Sequence, residues 1–140
     1  MKASILSVAL LVLAAIASPL NAERREQSAK AIYNRNTRRQ SDSDTENELL
    51  DGLCAPVTVI FARGTLELGN VGLLAGPPFF DALDSALGES NLVFQGVDYA
   101  ASVIGYLEGG DPEGAATLAS LAEQAVSQCP STQIVLSGYR

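Results

Sequence analysis

Val57-Thr58-Val59-Ile60-Phe61-Ala62 is an unbroken run of β-branched, aromatic and small apolar residues with a single threonine among them. A strand of this kind offers no side to water. It must lie in a sheet covered on both faces, and in small domains that is a parallel sheet with helices above and below.

The segments that follow supply what such a sheet requires. A Gly-rich loop, with Gly64, Gly69, Gly72 and Gly76, runs to Pro77-Pro78. Phe79, Phe80, Leu83, Ala86 and Leu87 then recur at helical spacing, with Asp81 and Asp84 on the other side and Gly88 placed to end the helix. Asn91 to Val97 reads as a second strand and residues 98–110 as irregular. Asp111-Pro112 forms an N-cap and first-turn signal. The helix it opens carries Ala115, Leu118, Ala122, Ala125 and Cys129 on one stripe and ends at Pro130. Asp111 and Glu113 also have the chemistry of Ca²⁺ ligands, but a helix cap explains them better. Gln133-Ile134-Val135-Leu136-Ser137 reads as a third strand leading into Gly138-Tyr139-Arg140. The expected fold class is therefore α/β, with right-handed crossovers making the strands parallel. Ligands of such sheets bind beyond the carboxyl ends of the strands, here Arg63-Gly64-Thr65, the loop after Val97, and Gly138-Tyr139-Arg140. A sheet whose last strand is the third exposes an apolar edge.

Residues 1–48 have a different character. Ala3 to Ala17 is apolar and uncharged behind Met1-Lys2, too short to span a membrane, and reads as a secretory signal peptide within residues 1–22, cleaved after Ala17 or Ala22. Residues 23–48 carry six basic and six acidic side chains with little to bury, the composition of a flexible leader. Its Arg24-Arg25 and Arg38-Arg39 pairs suit either propeptide processing or a solvated charged tail. Residues 49–140 form the expected ordered domain, in which Arg63 and Arg140 stand against ten acids for a net charge of −8. Such a surface disfavours nucleic acid. No membrane association is expected once the signal is removed. The Gly-rich stretches lack the residues that cradle nucleotide phosphates.

Cys54 and Cys129 are the only cysteines, and a secreted context makes a disulfide their default state. Closing a loop of about 76 residues is worth on the order of 4.5 kcal/mol in the chain-entropy model. The 140 residues contain no histidine. That removes any Ser-His-Asp or Cys-His site complete within them, along with most catalytic zinc sites.

Cys54, Arg63-Gly64-Thr65, Gln95-Gly96-Val97-Asp98-Tyr99, Cys129-Pro130 and Val135-Leu136-Ser137-Gly138-Tyr139 occur in an order that resembles the fungal cutinases, from about Gly52 to Tyr139. The resemblance implies a three-layer α/β-hydrolase-type fold, here ending at the nucleophile-elbow strand. It implies a secreted monomer without cofactor or metal that hydrolyses cutin or similar lipid polyesters through a Ser-His-Asp triad. The family's nucleophile sits in a Gly-Tyr-Ser-Gln-Gly elbow, a sharp strand-to-helix turn. Gly138 and Tyr139 match it, and Arg140 occupies the serine position. A guanidinium stays protonated and is no acyl acceptor.

By the same resemblance Thr65 is an oxyanion-hole residue, acting through its backbone N–H and hydroxyl. Standing alone, a Thr after a strand is a turn residue. Leu66 and Leu68 depart from the family, where a small hydroxyl residue and a proline are usual. The resemblance also pairs Cys54 with Cys129. The expectation is thus the N-terminal portion of a cutinase, inactive as it stands, from a shortened gene model or an intron read through at Tyr139. Two alternatives are a secreted non-catalytic remnant that binds wall or surface components, and an acetylxylan-esterase-like fragment. Ser-Gln-Gly after Tyr139 in the spliced message, with Asp and His downstream, is the outcome the expectation requires.

Overall fold

The computed structural model describes residues 44–140. The expected signal segment, 1–22, and residues 23–43 of the expected leader lie outside them. Three strands, β1 (Val57–Ala62), β2 (Leu92–Gly96) and β3 (Gln133–Gly138), form one parallel sheet in the order β2-β1-β3. Helix α1 (Gly76–Leu87) connects β1 to β2; a short helix α2 (Val103–Leu107) and the longer α3 (Pro112–Gln128) connect β2 to β3.

The apolar run places β1 at the centre, and its alternate residues divide two cores. Val59 and Phe61 join Leu92, Phe94, Val71 and Phe80 of α1 on one face. There the Phe80 and Phe94 rings stack at 4.2 Å between centroids, and Phe61 meets Phe80 edge-on at 5.4 Å. Ile60 joins Val93, Val97, Leu121 and Ala125 on the other face, under α3. A helix layer on each side of the sheet gives the three-layer architecture. At the amino ends of the strands, Cys54 and Cys129 are bridged, with their Cα atoms 5.6 Å apart.

Several local expectations change. The helix expected from Phe79 begins at Gly76 and takes in Pro77 and Pro78, because first-turn positions need no backbone N–H. The segment 98–110, expected to be irregular, contains α2, whose first turn is closed by Ser102 Oγ accepting from the Gly105 N–H at 3.1 Å. Asp111 caps α3 as expected, accepting from the Gly114 N–H at 3.0 Å. The buried stripe of α3 is rotated, with Gly114 and Leu121 inside and Ala115 outside.

Residues 44–48 belong to the segment expected as leader. They pack along β2, an edge strand. The Gly96 N–H donates to the Glu46 carbonyl at 2.8 Å, and the Glu48 N–H donates to the Phe94 carbonyl at 3.2 Å. The Phe94 N–H donates to the Glu48 carboxylate at 2.8 Å. Asn70 holds the same segment by accepting from the Glu46 N–H and donating to the Glu46 carbonyl and Asn47 Oδ1. Leu49 follows, fully buried in the α3-side core. Twelve charged side chains in the surrounding 26 residues mask this segment in the sequence, yet its backbone satisfies the outer edge of β2. β3, at the other edge, keeps Val135 and Leu136 exposed. A chain beginning at Leu49 is expected to be about 3 kcal/mol less stable in urea unfolding than one beginning at Ser41, at roughly 1 kcal/mol for each of the three hydrogen bonds to β2. Equal midpoints would show that these bonds add nothing to the stability of the domain.

Candidate functional site

The chain leaves the top of β1 at Arg63, a buried cation. Its charge is dispersed over main-chain carbonyls: Nε donates to Glu67 O at 2.9 Å, and the two terminal nitrogens donate to Val97 O at 3.4 Å and Tyr99 O at 2.5 Å. The guanidinium also lies 5.0 Å from the centroid of the Tyr99 ring. The Tyr99 hydroxyl returns a hydrogen bond to the Arg63 carbonyl. Burial pushes the Tyr99 phenol above the ordinary tyrosine range, opposed by Arg63 and reinforced by Asp111 and Glu67. The planar fork of arginine suits three divergent carbonyls in a way an ammonium does not.

The next residues form a tight loop. The Glu67 N–H donates to Gly64 O at 3.2 Å, and Leu66, at φ 65, donates its N–H to Ala101 O at 2.9 Å. The Glu67 side chain folds back: Oε2 accepts from the Gly64 N–H at 2.7 Å, and Oε1 accepts from the N–H groups of Leu73 and Leu74 at 3.0 and 2.8 Å. Burial alone would raise this carboxyl. The N–H donors of Leu74, Gly64 and Leu73, with Arg63, outweigh it and hold the group below the ordinary glutamate value. Thr65 stands inside this frame, and among the described residues neither its N–H nor its hydroxyl has a hydrogen-bond partner.

Thr65 opens onto a cavity of about 560 Å³ at the carboxyl end of the sheet, lined also by Tyr106, Leu107, Asp111, Tyr139 and Arg140. The Tyr139 N–H donates to Ala62 O at 2.9 Å, which brings the turn after β3 beside the loop after β1. The approach is so close that a Cβ on Gly64 would lie 2.8 Å from the Tyr139 ring. The Arg140 guanidinium lies 5.8 Å from the centroid of the Tyr106 ring. A larger groove, of about 790 Å³, lies between residues 45–51 and α3. Its amides are mutually engaged, Asn70 and Gln95 both donating to Asn47 Oδ1, so they hold the fold rather than present a site.

Thr65 and Arg140, 75 positions apart in sequence, thus share one cavity, while Cys54 and Cys129 lie at the opposite end of the strands. Asp111 reaches the cavity with its carboxylate already committed to the α3 N-terminus. The sequence reading missed Glu67 and the structural use of Arg63 and Tyr99. One signal was present: Arg63 is the only basic residue between Arg39 and Arg140, and it directly ends an apolar strand.

The Cutinase family model matches residues 53–140. A cutinase of Botryotinia fuckeliana is 55% identical over 86 residues, covering 61% of this chain and 43% of that protein. The cutinase pbc1 of Pyrenopeziza brassicae is 54% identical over 86 residues, covering 61% and 42%. The solved structure of the Trichoderma reesei cutinase in complex with a C11Y4 phosphonate inhibitor aligns with a TM-score of 0.61 at 35% identity, over 88% of this chain and 55% of that one. The chain spans about two-fifths of the length of the curated relatives it matches.

Arg63→Lys is expected to lower stability by about 2 kcal/mol, since the fork to three carbonyls is lost while the charge stays buried. Urea unfolding followed by circular dichroism measures it. An unchanged midpoint would show that the carbonyls do not depend on the guanidinium.

Proposed function

The chain belongs to the cutinase family, and we propose that it carries the oxyanion-binding portion of a secreted carboxylic-ester hydrolase acting on cutin or similar lipid-like esters. The observation that carries this reading is the position of Thr65. It lines the cavity that also receives the turn after β3, where the family resemblance puts the nucleophile, and among the described residues its N–H and hydroxyl are unengaged.

When a serine hydroxyl adds to an ester carbonyl, the carbonyl oxygen gains the electron pair of the π bond and becomes an oxyanion. Donors already fixed where that charge develops lower the barrier, each by roughly 3 kcal/mol. Thr65 offers two donors on a loop held by Arg63, Glu67 and Tyr99, so little reorganisation accompanies the step. The reaction requires no cofactor or metal. Exposed apolar side chains support an apolar substrate: Leu107, which lines the cavity, is 76% exposed, and Leu66 and Ile104, adjacent in sequence to the lining residues Thr65 and Gly105, are exposed as well. The acidic surface, with its net charge of −8 over residues 49–140, argues for a neutral ester phase rather than a polyanion. Secretion as a monomer is part of the same proposal; among the described residues no helix is long and apolar enough to cross a membrane.

At position 140 the side chain is a guanidinium, and the 140 residues contain no imidazole to act as general base. Residues 1–140 are therefore proposed not to turn over esters by themselves. Two measurements test the reading. The 140-residue chain should hydrolyse p-nitrophenyl butyrate no faster than buffer. A chimera joining residues 1–139 to the remaining C-terminal part of the Trichoderma reesei cutinase should hydrolyse it, and Thr65→Ala in that chimera should lower kcat about 10²–10³-fold with little change in KM. A folded chimera whose kcat survives Thr65→Ala would contradict the role of the hydroxyl, the backbone N–H being retained in alanine.

A further inference from the structure

We propose that Glu67 is a positioning residue whose carboxylate clamps both legs of the loop after β1 and thereby fixes the backbone of Thr65. The significance for catalysis rests on the oxyanion reading of Thr65; the clamp itself does not.

The geometry carries the inference. One carboxylate receives the N–H of Gly64, immediately before Thr65, and the N–H groups of Leu73 and Leu74, on the return leg toward α1, all within 3.0 Å. Three charge-assisted bonds to one ionised group are stronger than the neutral turn bonds of an ordinary loop. The backbone is shaped around that group. Gly72 has φ 70, and a Cβ there would lie 2.4 Å from the Glu67 carboxyl carbon. A Cβ on Gly64 would lie 2.7 Å from Oε2. Both close approaches require glycine. The main chain of Glu67 is held from the other side, its carbonyl accepting from Arg63 Nε. Thr65 and Leu66 are therefore confined between a fixed Gly64 and a fixed Glu67. Leu66 is forced to positive φ, a conformation a leucine adopts only when its surroundings impose it.

The charged and titratable groups facing this loop are Arg63 at the end of β1, Tyr99 after β2 and Tyr139 after β3, with Asp111 of the α3 cap acting on Tyr99. Because the clamp needs the ionised form, and the bound carboxyl lies below its ordinary value, its stabilisation is complete above the ordinary glutamate range. It is lost as pH falls through the folded-state value.

The test uses the 140-residue chain labelled with ¹⁵N. The amide resonances of Gly64, Leu73 and Leu74 are expected to shift together on acidification, with one shared midpoint below the ordinary glutamate value, and the Thr65 amide is expected to follow with the same midpoint. In Glu67→Gln the shared titration should vanish and hydrogen exchange at Gly64, Leu73 and Leu74 should quicken about tenfold or more, while Val59 and Phe94 in the sheet keep their protection. Unrelated midpoints for the three amides, or a Thr65 amide indifferent to both pH and the substitution, would overturn the proposal. The wild-type titration stands even where the variant folds poorly. No substrate is present, so the outcome is independent of whether Thr65 goes on to hold an oxyanion.

Discussion

A buried guanidinium cannot be left without acceptors, and the satisfaction of Arg63 organises the carboxyl end of this sheet. It sits at the end of the central strand, where Glu67, Val97 and Tyr99 each turn a carbonyl toward it. Those three carbonyls belong to the loops after β1 and β2, the two loops that flank the cavity beside the turn after β3. The hydroxyl of Tyr99 closes the circuit on the Arg63 carbonyl, so each partner holds the other's main chain. Thr65 inherits its position from this arrangement. Among the described residues its donors stay unengaged, while its neighbours on both sides supply the local bonding.

The sheet handles its two edges differently. At β2 the strap from Asp44 to Leu49 takes up outward-facing backbone groups and ends in a fully buried leucine. At β3 the side chains of Val135 and Leu136 remain exposed, and the strand is held by its pairing with β1 and by the Thr58–Thr132 hydroxyl contact at 2.8 Å. The Cys54–Cys129 bridge ties the start of this region to the approach to β3, at the strand ends remote from the cavity. The disulfide and the cavity therefore occupy opposite ends of the same three strands.

Much of this was legible in the residues. The unbroken apolar run from Val57 to Ala62 required a strand covered on both faces, helical spacing marked α1 and α3, and Asp111-Pro112 marked the start of α3. The segment around Glu46 and Glu48 was hidden by its charges, since period and composition carry no trace of main-chain bonding along an edge. Helix α2 is short, and its signal rests on one serine cap. The phase of α3 shifted because Gly114 packs against the Tyr99 ring, where a Cβ would lie 2.8 Å away, and no pattern of hydrophobic residues marks a buried glycine. Thr65 and Arg140 were singled out through family resemblance alone. Glu67 was missed because a lone acid in a loop has the appearance of a solvated charge until the N–H groups of residues six and seven positions further on are seen to converge on it.

The central claim is that the loop framed by Arg63, Tyr99 and Glu67 presents Thr65 to a developing oxyanion. A crystal structure of the chimera described above, with its nucleophile esterified by an alkyl phosphonate, measures this directly. A phosphoryl oxygen 2.7–3.1 Å from the Thr65 backbone nitrogen, with the Glu67 carboxylate still on Gly64, Leu73 and Leu74, is the predicted result. A phosphoryl oxygen bound by other donors, with Thr65 turned away, would contradict it.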